Sequence, residues 1–313
     1  LNIARESLQE NIIFTKIANN ITGQILTYLA KKAKDDPAGY LEFFKEHGRI
    51  FKLGYGDYQN QEKFMNLLRF NSSVCGKEED LISLEDYISR MKSDQKEIYF
   101  ALGPSRSALE SDPHTELFKR KGVEVLYFYD PLDEFVVSSL HKFKDFEFKS
   151  VEAADLGKLD KFDDIVKDKP EVAKLTKDDE KHFDSLIGKI KEILGDKVVE
   201  VKESKRLIDS PACLVSPDDG MSSSMQKIMR MANKDTSLQK KIFEVNKDHK
   251  IIRNLLNIFK IDSNDNYIKN TVEQLFEASM LLDGSLTDPH NLISKMNKLM
   301  EESSERYSES VKK

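Results

Sequence analysis

Apolar residues recur at helical spacing along the first part of the chain, with few helix breakers between them. This spacing predicts one long helix over residues 5 to about 33, ended by the Asp36-Pro37 pair. Further short helices are expected to pack on it, separated by a loop over residues 48–56. The stripe of the long helix consists of Leu8, Ile12, Ile17, Ile21, Ile25 and Leu29. The short helices are marked by Tyr40, Leu41, Phe43, Phe44, Phe64, Leu67 and Leu68.

The pattern changes after residue 82. Ser83 stands three residues before Asp86, which is the spacing of a helix-capping box. Residues 98–101 and 123–128 are β-rich, and the helical stretches between them break at Asp112-Pro113 and close at Gly122. This is a strand–helix–strand crossover, which predicts parallel pairing of the two strands. A helix opens at Asp130-Pro131 and carries Glu134, Phe135 and Ser138.

Residues 150–180 are rich in Asp and Lys and poor in aromatic residues, which favours a solvated linker and a domain boundary. Beyond it, a helical stripe ends at Gly195 and short strands are expected at 198–201, 212–215 and 242–245. Two further helical stripes follow, the second ended by Gly284. A last helix starts with Asp288 as N-cap and Pro289 in its first turn. Residues 303–313 are expected to be a disordered tail.

Composition excludes several classes of protein. The chain has 313 residues, one third of them charged, and a net charge of −6, so no global basic field exists to hold nucleic acid. No apolar run is long enough to span a membrane, and we expect a cytoplasmic protein without membrane or nucleic-acid partners. Cys75 and Cys213 lie far apart without a CxxC, which favours two unpaired thiols over a disulfide framework or a metal site.

Few residues of the sequence indicate a catalytic, phosphate-binding or metal-binding site. Arg5 and Gln9 are four apart, so on a helix both reach one ligand, and a guanidinium beside a carboxamide suits phosphate. The alternative is an ordinary solvated helix start. The chain contains no phosphate-binding glycine loop: Gly103-Pro104 after the first β-rich run is too poor in glycine, so that crossover favours a scaffold. The six histidines are scattered and are expected at the surface, without a metal or catalytic role.

The segment 221–231 holds four of the chain's nine methionines. Met221, Met225, Ile228 and Met229 recur at i, i+4, i+7 and i+8, so a helix would gather them on one stripe. One interpretation is a helix packed into the core. The other is an exposed surface, because the flanking segment is polar and methionine adapts to many apolar shapes.

Collinear motifs over nearly the whole chain resemble the ninety-kilodalton heat-shock chaperone family, most closely its bacterial HtpG type. The first is the LNxxRExLQ run over residues 1–9, and the most specific is SLEDYISRM over 83–91. Others are LLRFNS over 67–72, KGVEVL over 121–126, DPLDE over 130–134, RLIDSPA over 206–212 and LISKMNKL over 292–299.

The resemblance implies roles for particular residues. Arg5 would reach the γ-phosphate of ATP held with Mg²⁺ in a preceding nucleotide-binding domain, with Gln9 in support and Asn2 shaping the loop. The methionine stripe and a second patch of Glu134, Phe135 and Ser138 would contact partly unfolded client proteins. Bacterial members often have Trp where this chain has Phe135. Because the chain begins within a motif and lacks that nucleotide-binding domain, we expect an excised fragment that is itself inactive as an ATPase and holds no cofactor.

A homodimer is expected through the last two helices, since two such hairpins would close a four-helix bundle. A role confined to the core of one subunit is the alternative. The positions assigned to this interface are Leu275, Phe276, Leu282, Leu292, Ile293, Met296 and Leu299.

The expected fold is α/β plus α+β. It divides into the end of a large middle subdomain (1–34), a helical connector (35–82), a small αβα middle subdomain (83–155), an α+β C-terminal domain ending in a dimerisation hairpin (156–302) and the tail (303–313). The expected function is a part of an ATP-dependent chaperone. A nucleotide-independent homodimeric scaffold for protein interactions is the alternative.

Overall fold

The computed structural model of this chain describes residues 12–57, 59–139, 141–165, 174–217 and 240–311. The chain forms two compact units. Unit 1 draws on residues 1–109 and 123–150, and unit 2 on residues 110–122 and 151–313. The chain therefore leaves unit 1 after residue 109, returns to it at residue 123 and leaves it again after residue 150.

Unit 1 begins with three helices, α1 (Ile12–Asp35), α2 (Pro37–Lys52) and α3 (Gln61–Leu67). The Asp36 side chain caps α2 by accepting a hydrogen bond from the amide of Gly39 at 3.0 Å. The predicted loop over residues 48–56 is wrong, because α2 continues to Lys52 and a 3₁₀ turn follows at Leu53–Gly56. Gly48 does not break the helix: a Cβ there would lie 2.7 Å from the Phe44 ring, so this glycine makes room for close packing.

The helix over α1 is confirmed for its described part, but of the described members of the predicted stripe only Leu29 is buried. Leu26 and Leu29 are buried in the core of unit 1. Ile17, Ile21 and Ile25 are 50, 53 and 52% exposed. Hydrophobic periodicity identified the helix, but the neighbouring elements decide which of its apolar residues are buried.

Unit 1 also contains a five-stranded sheet, whose strands are β1 (Asn71–Ser72), β2 (Glu97–Leu102), β3 (Leu126–Phe128), β4 (Lys142–Phe143) and β5 (Phe146–Ser150). The strand order is β1-β3-β2-β5-β4. The helices beside them are α4 (Leu84–Arg90), α5 (Arg106–Glu110) and, after the chain has passed through α6 (Glu116–Lys121) of unit 2, α7 (Asp133–Ser139). β2 runs parallel to β3, with Phe100 opposite Leu126, so the predicted parallel pairing is confirmed.

The motif around Ser83 has two structural roles. Ser83 and Asp86 form the predicted capping box at the start of α4. Tyr87 is fully buried, and its hydroxyl donates to the carbonyl of Glu124 at 2.8 Å while accepting from the amide of Tyr99 at 3.0 Å. This buried phenol ties α4 to β2 and to the segment that precedes β3.

Unit 2 is built around a three-stranded sheet of order β6-β8-β7, formed by β6 (Val198–Glu203), β7 (Ala212–Val215) and β8 (Lys241–Val245). All three strands fall where the sequence predicts them. Besides α6, the helices among its described residues are α8 (Lys177–Leu194), α9 (Lys250–Ile261), α10 (Asn266–Leu282) and α11 (Pro289–Val311). Its core includes Phe183, Leu186, Phe243, Leu255 and Phe276.

The expectation of a disordered tail is wrong over residues 303–311, because α11 continues to Val311. Residues 301–311 contain neither Pro nor Gly. A segment rich in Ser and Glu favours contact with water. A helix that exposes most of its surface meets that preference as well as a disordered tail does. Taken together, the described residues show mixed helix and sheet, as an α+β class requires. The predicted division into subdomains stays a prediction.

Candidate functional site

Several predicted site residues lie outside the described residues. These are the three residues assigned to ATP hydrolysis and the four of the methionine stripe: Asn2, Arg5, Gln9, Met221, Met225, Ile228 and Met229. Their roles stay predictions. The described candidates are the α7 patch and the last two helices.

Helix α7 is anchored at its first turn by charged groups. The Asp133 carboxylate accepts a hydrogen bond from the amide of Asp130 at 3.0 Å, and Lys52 Nζ lies 2.6 Å from Asp133 Oδ1. Asp133 is 3% exposed. Burial raises the pKa of its carboxyl above the usual range, although the Lys52 ammonium opposes that shift. This ion pair fixes where α7 starts and therefore how it presents the following residues.

The three residues of the α7 patch differ in their access to solvent. Glu134 is buried, whereas Phe135 is 37% exposed. Ser138 is exposed, and its hydroxyl donates to the carbonyl of Glu134 at 2.8 Å. Of the three, only Phe135 offers a large accessible apolar surface to a partner. Glu134 is buried and Ser138 has a small polar side chain, so neither adds much apolar surface for a partner.

Helices α10 and α11 pair through ion pairs and one buried leucine. Lys295 Nζ on α11 lies 2.6 Å from Glu277 and 3.3 Å from Glu273, which are one turn apart on α10. Leu292 is 2% exposed. Burial lowers the pKa of Lys295, but its hydrogen bonds to Glu277 and Glu273 and their charges outweigh burial and raise it, so this ammonium stays charged at neutral pH.

The residues predicted for a dimer interface divide into two groups. Phe276 and Leu292 are buried within the chain, and Leu275 and Leu299 are partly buried. Leu282, Ile293 and Met296 are 68, 52 and 41% exposed. Further exposed apolar residues extend the same face of α11 at helical spacing, namely Met300, Tyr307 and Val311. The exposed set, rather than the whole predicted list, is what a partner subunit would bury.

Sequence reasoning missed a carboxylate clamp in unit 2. Glu116, at the start of α6, accepts hydrogen bonds from the amides of Ile208, Asp209 and Ser210 and from the Ser210 hydroxyl. The RLIDSPA run therefore forms a loop whose amides converge on one anion. The Asp-Ser-Pro sequence signals a turn, but nothing local to it points to a residue about ninety positions earlier.

The expectation that the histidines lie at the surface is wrong for His114, which is buried. Its Nδ1 lies 2.7 Å from Asp112 Oδ1, and its Nε2 lies 2.9 Å from the carbonyl oxygen of Leu214 on β7. Burial lowers the pKa of His114, but the charge and hydrogen bond of Asp112 outweigh burial and raise it to about 9. As an imidazolium, the ring donates both of its N–H groups. The Asp-Pro-His spacing was the available signal, since Asp112 also caps the 3₁₀ turn at Pro113–Thr115.

The described parts of the chain show neither a membrane-spanning helix nor a metal-binding cluster. None of the helices there has the length and apolar character needed to cross a bilayer. In the same residues, no three or more His, Cys, Asp or Glu side chains group in a way that would hold a metal ion. Cys75 and Cys213 are both buried free thiols.

Comparison with known proteins identifies the family. The model of the Hsp90 protein family matches residues 1–313. The chain is 47% identical over 310 residues to the chaperone protein HtpG of Oleidesulfovibrio alaskensis, covering 99% of this chain and 48% of that protein. Identity to the chaperone protein HtpG of Nitratidesulfovibrio vulgaris is 49% over 307 residues, covering 98% of this chain and 48% of that protein.

A third relative, the chaperone protein HtpG of Chlorobium luteolum, is 37% identical over 302 residues, covering 96% of this chain and 47% of that protein. The chain thus spans about half the length of the curated relatives it matches. The resemblance seen in the sequence motifs is confirmed, and the chain belongs to the Hsp90 protein family.

Proposed function

We propose that this chain is the middle and C-terminal part of an ATP-dependent molecular chaperone of the cytoplasm. In this proposal it dimerises through α10 and α11 and binds partly unfolded client proteins. Membership of the Hsp90 family and the name of the relatives support the chaperone role. The geometric observation that carries the proposal is the exposed apolar stripe of α11.

That stripe has the spacing of a helix–helix interface. Its members Ile293, Met296, Met300, Tyr307 and Val311 stand at i, i+3, i+7, i+14 and i+18, and each is at least 41% exposed. Burying such a stripe against a second copy removes apolar surface from water on both subunits. Four helices, two from each subunit, would then form a bundle.

Nucleotide chemistry enters the proposal through residues 1–11. Arg5 would stabilise charge on the γ-phosphate of ATP, with Gln9 beside it and Asn2 shaping the loop. The adenine and Mg²⁺ sites would lie in polypeptide outside this sequence. On this basis the 313-residue chain alone is expected to show no ATP turnover.

Client binding would use two surfaces, Phe135 on α7 and the methionine stripe of Met221, Met225, Ile228 and Met229. The exposure of Phe135 supports the first. The adaptability of methionine side chains supports the methionine stripe.

A nucleotide-independent homodimeric scaffold is the second candidate function, and the same stripe on α11 favours it equally. ATP turnover by the full-length protein, abolished by substitution within its nucleotide site, would decide for the chaperone cycle.

The dimer is tested by surface substitutions. Truncation after Lys260 would remove Ile268, Val272 and Phe276 from the core of unit 2, so it would confuse dimer loss with unfolding. Met300→Glu and Ile293→Glu place a charge within the stripe and are expected to give a monomer in light scattering. Ser294→Glu adds the same charge on the other face of α11 and should leave the dimer intact. A dimer that persists at equal strength in both stripe variants overturns this interface.

A further inference from the structure

Unit 1 contains a cavity of about 370 Å³ that the proposed function does not use. Its walls come from α2, the segment that follows α3, the loop at residues 78–81, the end of β3 and the first residue of α7. Phe44, Phe70, Tyr127 and Tyr129 supply aromatic surface. The volume and the aromatic lining are those of a site for a small molecule or for a few residues of a peptide.

One wall carries a row of cations. Lys45, Arg49 and Lys52 stand at i, i+4 and i+7 on α2 and all line the cavity. Two of them are neutralised within the chain. Arg49 Nε lies 3.3 Å from Asp130 Oδ2, and Lys52 Nζ lies 2.6 Å from Asp133 Oδ1.

Two other lining cations, Lys45 and Arg69, form no ion pair with a carboxylate among the described residues. Arg69 is half-buried. Its Nη1 donates to the carbonyls of Asn66 and Leu68 at 3.1 and 2.9 Å, and its guanidinium lies 4.7 Å above the ring of Tyr40. Its Nε and Nη2 have no hydrogen-bond partner in the described part of the chain. The charges of Asp86 and Glu85 act on Arg69, but neither forms an ion pair with it, so Nε and Nη2 remain available to a bidentate anion.

Two lining carboxylates limit how much negative charge a ligand can carry. Glu78 and Glu79 line the cavity and are exposed to solvent. They repel a phosphate or any other multiply charged anion more strongly than a group with a single charge.

We propose that this cavity binds a single carboxylate attached to an apolar, aromatic-sized body. The carboxylate would pair with Arg69 and Lys45, and the apolar body would pack on the aromatic lining. The same chemistry is found in a free small aromatic acid and in the C-terminal carboxylate of a peptide. This inference concerns a separate site and does not depend on the proposed chaperone function.

The ligand chemistry is tested by fluorine NMR of a probe. We expect 3-(4-fluorophenyl)propanoate to bind the 313-residue chain saturably, and its primary amide to bind at least about tenfold more weakly. Equal binding of acid and amide, or no saturable binding of the acid, overturns the proposal. Displacement by N-acetyl-Gly-Phe with a free carboxylate, but not by its C-terminal amide, identifies a peptide end as the source. Failure of both peptides to displace the probe assigns the site to free acids.

Variants test the two cations. Lys45 is exposed and has no partner, so Lys45→Ala should weaken the acid about threefold without affecting folding. Lys31→Ala on α1, which removes an equivalent exposed charge outside the cavity, should have no effect. Arg69→Lys keeps the charge but loses the planar fork and should weaken the acid by about tenfold or more. Because Arg69 also contacts Tyr40, the melting temperature of the Arg69→Lys variant is measured alongside its affinity to check that it folds. If Arg69→Lys does not fold, Lys45→Ala and the acid–amide comparison decide; unchanged affinity in the folded variants overturns the site.

Discussion

The carboxylate of Glu116 accepts hydrogen bonds from both the backbone amide and the hydroxyl of Ser210, at 3.1 and 2.6 Å. The amides of Ile208 and Asp209 donate to the same group at 2.5 and 2.8 Å. Four donors thus converge on one anion and fix the loop that leads into β7. Three of the donors are consecutive backbone amides, so loss of the carboxylate would leave all three without this acceptor.

The first prediction concerns this clamp. Glu116→Gln removes the charge and turns an N–H₂ group toward amide donors, so we expect the free energy of unfolding of unit 2 to fall by about 1–3 kcal/mol. Chemical denaturation followed by circular dichroism measures it. Glu200→Gln, an exposed position on β6, is the control and should change stability little. Equal midpoints for the two variants would contradict a structural role for the clamp.

The second prediction is a pH dependence set by His114. Its folded pKa of about 9 lies above the ordinary 6.5, so its contribution to stability is complete below pH 6.5 and is lost as the pH rises through 9. The shift corresponds to a contribution on the order of 1–3 kcal/mol. We expect the wild-type chain to lose more stability between pH 7 and 10 than His114→Gln does. Parallel pH profiles would show that His114 is not charged in the folded state.

The third prediction contrasts two glycines of unit 2. Gly122 ends α6 with φ +60, and a Cβ there would lie 2.9 Å from Ile165, so Gly122→Ala should destabilise by about 1–2 kcal/mol. Gly188 lies within α8, and a Cβ there meets no atom within 4 Å. Gly188→Ala should therefore stabilise by roughly 0.5–1 kcal/mol. Thermal melting compares the two, and a shift of the same sign in both would contradict this account.

The fourth prediction tests the α7 surface. Phe135→Ser should weaken binding of a labelled, partly unfolded protein while changing the melting temperature little, because Phe135 is partly exposed. Val136→Ala, at the adjacent buried position, should leave binding unchanged and lower the free energy of unfolding by about 2 kcal/mol. Fluorescence anisotropy follows binding. The same assay applies to Met225→Ser with Met229→Ser, where a large drop in melting temperature would assign those methionines to the core.

The fifth prediction concerns Arg5 in the full-length protein. Arg5→Ala should slow ATP hydrolysis with little change in nucleotide affinity, because the proposed contact forms mainly in the transition state. Comparable arginines contribute about 10³–10⁵ in rate, and we expect a smaller effect if closure of the dimer limits turnover. Lys34→Ala removes an exposed charge on α1 and is the control. An unchanged rate in Arg5→Ala would make it an ordinary surface residue.

Local sequence determined the secondary structure wherever the causes were local. Ser83 and Asp86, Gly122, and Asp288 with Pro289 mark helix ends because a cap depends on neighbouring backbone groups. The β-rich runs at β2 and β3 predicted a parallel pair because a crossover of that length allows little else. Collinear motifs determined the family for the same reason: they are read along the chain without reference to contacts.

Tertiary structure decided what depended on contacts between distant segments. Leu29 was predicted on the packed stripe, but only packing showed that Leu26 joins it in the core of unit 1 while Ile17, Ile21 and Ile25 do not. Amphipathic spacing shows that a face is apolar, but a stripe becomes core only when another element covers it.

The same reason explains Glu116 and His114. Their partners, Ser210 and Leu214, lie about a hundred residues away, and hydrogen-bond energy depends on distance in space rather than in sequence. The sequence by itself therefore determined the elements and the family of this protein. The tertiary structure decided the buried polar contacts, the cavity of unit 1 and the exposed face of α11. The contacts and the cavity exist only where separate segments pack together, and the face of α11 is exposed because no described segment of the chain covers it.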